Sequence, residues 1–291
     1  MSVSTNCKVI SISNQKGGTA KTTTACNLGY ALAKQGYRVL LVDMDPQANL
    51  SMSCGIESPD ELELSMSDIL TIVMKGEELP LRQSYIHPTS ISKVELGTGE
   101  KEYVLDIMPS NISLTITEIN LRDEMGGEHT LKSLLDPMRT DYDYIVIDTN
   151  PYLGLLTINA LAACDEVLIP VSAQYWSATG LTDLLQTIFK VKRKLNRGIE
   201  VGGILLTICD ERTKLYREAR SLLDTSYGDK IKIFNTIIPA TVKVGEANYM
   251  SKSVVEYEPN SKAAIAYVAL AKELTENSSA GEGDADGETE A

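Results

Sequence analysis

Short apolar runs alternate with longer stretches of helical periodicity along most of this chain. Residues 8–13, 38–43, 103–108, 144–148, 166–171, 203–208 and 232–238 read as strands. Several, such as Ile145-Val146-Ile147, are continuously apolar rather than alternating, the pattern of a strand covered on both faces. Between them, residues 21–35, 131–138, 179–195, 215–223 and 261–274 place apolar side chains at helical spacing. In the first of these Ala25, Leu28 and Leu32 form one stripe and Gly36 supplies a stop. That rhythm predicts an α/β fold, a doubly wound, mostly parallel sheet with helices on both faces. No repeat or linker interrupts it, so residues 1–275 are expected to form one domain. Residues 56–99 are a mixed insertion whose pattern predicts little.

Composition narrows the picture. The chain has 291 residues, 43% hydrophobic and 23% charged, as in an ordinary globular protein. No apolar run approaches the ~18–20 residues of a membrane span. The first eight residues lack the apolar stretch of a secretory signal, so a cytoplasmic location is expected. Five cysteines (Cys7, Cys26, Cys54, Cys164 and Cys209) are scattered singly, which argues against a disulfide framework or a zinc site and for buried thiols. The net charge of −13 opposes nucleic-acid binding by the chain as a whole. The charge is uneven, however. Residues 276–291 carry six acids and no base, and are expected to be a disordered acidic tail. Lys190, Lys192, Arg193, Lys194 and Arg197 cluster elsewhere, followed by Arg212, Lys214, Arg217 and Arg220. Local fields of this kind can outweigh the sum.

The sharpest chemical signal is Asn-Gln-Lys-Gly-Gly-Thr-Ala-Lys-Thr-Thr-Thr at residues 14–24, between an apolar strand and a helical pattern. A strand–loop–helix of this kind turns backbone N–H groups toward one point at a helix N-terminus, where they suit a polyphosphate. Gly17 and Gly18 leave no Cβ in the way. Lys21 is expected on the β- and γ-phosphates, and the Thr22 hydroxyl on Mg²⁺. Thr19, Ala20 and Thr23 complete the expected nucleotide contacts. Against the general pattern G-x-x-x-x-G-K-[ST], Gln15 stands at the first glycine and Ala20 at the second. The alanine fits if its φ is negative; otherwise its methyl crowds the phosphates.

Two further strands end in acids. Residues 38–47 run Arg-Val-Leu-Leu-Val-Asp-Met-Asp-Pro-Gln, with Asp43 and Asp45 at the carboxyl end, where ligands of open α/β sheets bind. Residues 142–148, Tyr-Asp-Tyr-Ile-Val-Ile-Asp, end in Asp148, a candidate Mg²⁺ ligand acting through its water shell.

The order K-G-G-x-x-K-T, the D-x-D-P-Q sequence and the acid-tipped strand resemble the ParA/MinD family of deviant Walker A P-loop ATPases. The likeness is nearest to small, Soj-like ParA proteins. Departures are Ala20, where the family usually has glycine, and Thr149-Asn150-Pro151, where it more often has a double proline. Residues 104–111, 237–247 and 261–267 also resemble the family, so coverage runs from about residue 8 to 274. The resemblance implies that Lys16 reaches the nucleotide of a partner subunit in an ATP-bound homodimer. It implies that Asp45 positions, or accepts a proton from, the attacking water, and that Asp43 organises Mg²⁺ through water. Lys16, Lys21 and Asp45 are then the catalytic set; Thr22, Asp43 and Asp148 serve the metal; Thr207 and Pro239 lie on the adenine side.

Such proteins bind double-stranded DNA without sequence preference and are stimulated by a ParB-like centromere-binding protein. Lys190, Lys192, Arg193, Lys194, Arg217, Arg220 and Lys243 are the candidate DNA contacts. A solvated helix face accounts equally for the cluster at 190–194, and Ala240 stands where the family is frequently basic. The acidic tail is expected to compete with DNA for the same patch. No basic amphipathic helix near the C-terminus suggests a membrane role, and no helix-turn-helix precedes the first strand. The isolated cysteines disfavour a cluster-bridging relative. The alternative to a weak ATPase is a nucleotide-binding dimer switch whose turnover is negligible because of Ala20.

Overall fold

The computed structural model describes residues 7–89, 104–173 and 178–280, with side chains left undescribed at 178–179 and 277–280. Seven strands form one sheet: β1 (Lys8–Ile12), β2 (Val39–Met44), β3 (His87–Pro88), β4 (Leu105–Met108), β5 (Tyr144–Thr149), β6 (Glu166–Ser172) and β7 (Glu200–Thr207). Their order is β3-β4-β2-β5-β1-β6-β7, parallel throughout except for the antiparallel β3 at one edge. Strands β2 and β5 are buried along their whole length, as their unbroken apolar runs require.

The helices are α1 (Lys21–Lys34), α2 (Asn49–Ser53), α3 (Met66–Met74), α4 (Leu114–Asp123), α5 (Thr130–Leu135), α6 (Leu155–Ala163), α7 (Ala178–Lys194), α8 (Lys214–Tyr227), α9 (Val242–Tyr249), α10 (Val254–Tyr257) and α11 (Lys262–Ala280). One core cluster joins one face of the sheet to α1 and α9–α11, and the other joins the opposite face to α3–α8. Helix α1 lies close on β2 because Gly29 faces it. A Cβ there would come within 2.6 Å of the Leu41 side chain.

Several expectations are corrected. Residues 232–238 do not form a strand. They bridge β7 only at Ile204↔Ile233 and, just beyond, at Cys209↔Pro239. In between, the amides of Asn235 and Thr236 turn away and donate to the Glu273 carboxylate of α11, each at 3.0 Å. The expected helix at 131–138 splits into α5 and a 3-10 turn that begins just before Pro137. Helix α11 runs to Ala280, past the expected start of the tail, and residues 281–291 lie outside the described residues, as does Tyr103. All five cysteines are buried and free, but Cys26 and Cys54 are not isolated. They meet between α1 and the end of α2, where a hydrogen bond with Cys26, together with burial, pushes the Cys54 thiol well above its ordinary pKa. No helix among the described residues is long and apolar enough to cross a membrane.

Candidate nucleotide site

Three strands bring their carboxyl ends together at the centre of the sheet. Ile12 of β1 and Asp43 of β2 both pair in register with Asp148 of β5. The chain leaves β1 through the glycine-rich loop and re-enters order at α1, directly above those acids. The loop is tied down from below. Asn14 donates to the carbonyl of Pro170 at 2.7 Å, and Gln15 to that of Gly180 at 3.1 Å. Gln15 therefore does what a glycine could not: it fastens the loop to the start of α7.

The helix N-terminus is open. No side chain caps it, and its first backbone bond runs from the Thr24 amide to the Ala20 carbonyl. The amides of Lys21, Thr22 and Thr23 thus have no acceptor among the described residues and line the cleft, where a polyphosphate suits them. The cleft has a volume of about 600 Å³ and is lined by Gly17–Thr23, Asp45, Asn49, Met52, Ser53, Pro151, Asn248 and Ser251. A second, more apolar cleft of about 610 Å³ adjoins it across Gly18, Ala20 and Thr23. Ile208, Ile238, Pro239, Thr241, Val242, Val244 and Tyr267 are among its walls. A polar compartment joined to an apolar one matches the two ends of a nucleotide.

Lys21 is buried, and its Nζ donates to the Lys16 carbonyl at 3.3 Å. Burial lowers its pKa, while Asp148 and Asp45 act to keep it charged. Asp148 is fully buried. Burial and the nearby Asp43 push its pKa well above the carboxylate range, against the Thr22 hydroxyl and the Lys21 ammonium. Thr22 stands close enough to act on that carboxylate, yet neither Asp148 oxygen has a hydrogen-bond partner of normal geometry among the described residues. A buried carboxylate left so is poorly satisfied by the protein alone. With a threonine hydroxyl beside it and a phosphate site above, it fits a hard, oxygen-seeking cation such as Mg²⁺.

Asp43 is engaged differently. One oxygen accepts the Asp45 amide at 3.1 Å, and the other accepts both the amide and the hydroxyl of Ser51, at 2.9 and 2.7 Å. Burial raises its pKa to about 6, with the Ser51 bonds opposing. Its carboxylate holds the 45–51 loop in place. Asp45 in turn accepts the Gln47 amide at 3.0 Å and lines the cleft. The exposed Lys16 does not line its own cleft.

Two sequence expectations change. Thr207 is fully buried behind the loop, where its hydroxyl donates to the Thr19 carbonyl at 3.0 Å. It supports the loop and is not among the walls of the second cleft, whereas Pro239 is. Ala20 has φ 64 and ψ 33, a left-handed conformation, so the negative φ that would have suited an alanine is not adopted. An L-residue there costs roughly 1–2 kcal/mol. Ala20→Gly is expected to raise stability by about 0.5–1 kcal/mol, since glycine's looser unfolded chain offsets part of the relief. Denaturant melts of the two proteins check this. Ile208, at φ 53 where β7 gives way to the second cleft, was not legible as a site residue.

A family model described as an AAA domain matches residues 7–201. The sporulation initiation inhibitor protein Soj of Bacillus subtilis is 40% identical over 270 residues, 93% of this chain and 99% of that protein. The chain belongs to the ParA/MinD family of P-loop ATPases. Chromosome partitioning protein ParA of Myxococcus xanthus is 38% identical, covering 92% of this chain and 87% of its own. The structure of cobyrinic acid a,c-diamide synthase from Mycobacterium smegmatis, with bound ATP analogue and magnesium, superposes with a TM-score of 0.78 at 32% identity. That match covers 94% of this chain and 97% of the other.

On this ParA/MinD-type fold the basic candidates do not form one patch. Helix α7 starts at the carboxyl edge of the sheet and returns to the amino edge, where β7 begins. Lys190, Lys192, Arg193 and Lys194 are exposed along its last turns. From Gly180, which holds Gln15, to Lys190 is about 15 Å of helix. Arg193 lies over the ring of the exposed Phe189, 5.9 Å from its centroid. Arg217 is exposed on α8, nearer the nucleotide edge. Arg220 is engaged by Asp224 and the Phe234 carbonyl, and Lys243 by Glu246 at 2.8 Å. Those two are held in ion pairs; among the described residues the four of α7 are not, and Arg193 has only the Phe189 ring.

Proposed function

We propose that this chain is a ParA-type ATPase that takes up ATP and Mg²⁺, pairs with a second copy, and binds double-stranded DNA without sequence preference. A ParB-like partner stimulates hydrolysis and so releases the DNA, in service of partitioning. The observation that carries the reading is the orphaned Asp148 carboxylate beside Thr22 and beneath the open amides of Lys21–Thr23. A cation and a phosphate chain complete that arrangement together.

Within the proposal each side chain has one task. The amides of residues 17–23 and the Lys21 ammonium hold the phosphates. Thr22 and Asp148 hold Mg²⁺, which when bound supplies charge neutralisation at the phosphoryl oxygens. Asp43 acts on the metal at one remove, by fixing the loop that carries Asp45. Asp45 orients a water toward the γ-phosphorus and accepts its proton as the bond to the β-phosphate oxygen breaks. Lys16 is delivered to the partner subunit's nucleotide. Catalysis then rests on positioning and electrostatics.

Ala20 supports a second reading, a nucleotide-binding dimer switch with negligible turnover, because its methyl stands in a strained conformation between the two clefts. Single-turnover hydrolysis of ATP, with and without DNA and a ParB-like protein, separates the two. Turnover that DNA and partner accelerate supports the first. Tight uptake without phosphate release, restored by Ala20→Gly, supports the second.

DNA binding is assigned to the basic end of α7, on the edge away from the nucleotide. Exchanging Lys190, Lys192, Arg193 and Lys194 for alanine is expected to weaken it. The slope of log affinity against log salt should drop by about 3–4, at ~0.9 for each phosphate that is no longer neutralised. Nucleotide affinity should hold, because the cluster lies far from the loop. Helix α11 passes Tyr267 beside the second cleft and then Glu273, heading for the same amino edge. The stretch 282–290, which follows α11 in sequence, carries five acids that would compete with DNA for the basic cluster.

A further inference from the structure

We infer that Ser51 is a positioning residue: its hydroxyl locks the Asp43–Asp45 loop to the turn that leads into α4. The inference rests on the ATPase reading above and adds to it a residue that contacts neither nucleotide cleft.

Ser51 sits in α2 and is wholly buried. Its hydroxyl donates to the Asp43 carboxylate at 2.7 Å and accepts the Ser110 amide at 3.0 Å. Its own amide donates to the same Asp43 oxygen at 2.9 Å. The other Asp43 oxygen holds the Asp45 amide. One carboxylate thus fixes both ends of the loop that presents Asp45 to the cleft, and Ser51 supplies two of its three bonds. Charge-assisted bonds of this length are about twice as strong as neutral ones. Cysteine could not replace the serine here, because a thiol is a weak donor and a weak acceptor.

The bond to Ser110 carries the connection further. Ser110 lies in the turn between β4 and α4. The start of α4 is pinned by two more bonds: Ile112 donates to Asp60 at 3.1 Å, and Ser113 to Asn111 at 3.1 Å. On the next turns Glu118 accepts the Leu156 amide at 3.4 Å, at the first turn of α6. Helix α6 follows the segment that Asp148 opens. The acids ending β2 and β5 are therefore joined twice: directly as register partners in the sheet, and around the outside through Ser51, Ser110, α4 and Glu118. Ile116 and Ile119 stand exposed on α4, and Ile112 in the turn just before it. Ser51 gives a shift of the Asp43 carboxylate a hydrogen-bonded route to these isoleucines, beside the strand pairing of β2 with β4 and β5.

Ser51→Ala removes the hydroxyl while leaving the glycine-rich loop, Lys21 and Asp148 untouched. Its single-turnover rate is expected to fall at least ~10-fold while the Kd for Mg²⁺-ATP stays within about threefold, the split of a group needed for orientation rather than uptake. Ser51→Thr keeps the hydroxyl and is expected to recover most of the rate. Amide exchange gives a readout independent of hydrolysis. In wild type, Mg²⁺-ATP should slow exchange at residues 45–51 and 109–113 together, and in Ser51→Ala only the first segment should respond. A wild-type rate in Ser51→Ala overturns the proposal. So does a parallel loss of rate, nucleotide affinity and thermal stability, which marks a merely structural serine. Should wild type bind ATP without turning it over, the ATPase reading fails, and joint protection of the two segments still decides for or against Ser51. Should it bind no nucleotide at all, exchange at 109–113 in the free protein decides, and an unchanged rate in Ser51→Ala contradicts the coupling.

Discussion

Asp148→Asn is expected to make the nucleotide-free protein more stable and the ATPase nearly inactive. Both effects follow from one buried carboxylate whose oxygens lack hydrogen-bond partners among the described residues. Its pKa is raised, so the folded state binds its proton more tightly than the unfolded chain does. The sign follows by linkage: its contribution to stability is complete below the ordinary carboxylate pKa and is lost as pH rises through the raised value. Above the ordinary carboxylate pKa the wild type therefore carries a cost, either of holding that proton or of leaving a poorly solvated charge, that the amide variant lacks. The gain is of order 1–3 kcal/mol, the usual penalty of an unsatisfied buried polar group, reduced by whatever Lys21 loses when its neighbour is neutralised. Thermal melts from pH 5 to 8 without nucleotide should show a wild type that weakens toward high pH and a flatter variant. With Mg²⁺ and ATP the order reverses. Wild type should gain stability through binding, and the variant should gain little and lose about 10²-fold or more in Mg²⁺-dependent turnover, since a ligand of the neutralising cation has gone.

Lys16→Ala should separate uptake from catalysis. The Lys16 side chain is exposed and does not line its own subunit's cleft, while its carbonyl holds Lys21 from within the loop. Alanine keeps that carbonyl. Affinity of one subunit for ATP should change little, whereas turnover should fall by about 10³-fold, the lower end of what a trans-acting cation contributes. Pairing of subunits on ATP should weaken with it. Single-turnover assays and sedimentation of the same preparation test both halves. A variant that hydrolyses normally would remove Lys16 from the mechanism.

What the sequence disclosed and what it hid divide along physical lines. The glycine-rich loop, Asp43, Asp45 and Asp148 were legible because each is written locally: an unbroken apolar strand and the polar residue that ends it. The parallel sheet followed from the same runs. Contacts between distant segments were not legible. Nothing near Thr207 says that its hydroxyl supports Thr19, and nothing near Cys26 says that Cys54 lies against it. Helix α4 escaped because Leu114, Thr115, Ile116 and Thr117 alternate apolar and polar like a strand. Helix α3 could have been found: Ser65 and Asp68 form a capping box, with the Ser65 amide donating to Asp68 at 2.8 Å. The strand expected at 232–238 has the right composition, yet Glu273 takes two of its amides. The backbone angle at Ala20 lay beyond reach, because the loop and not the alanine sets it.

At the centre of the proposal stands a loop that would enclose phosphates and thereby recruit a second copy of the chain. Sedimentation equilibrium of the full chain with Mg²⁺ and a slowly hydrolysed ATP analogue tests that directly. The predicted result is a doubling of mass over the nucleotide-free protein, absent with ADP and weakened in Lys16→Ala. A chain that binds the analogue and keeps the mass of one subunit would contradict it.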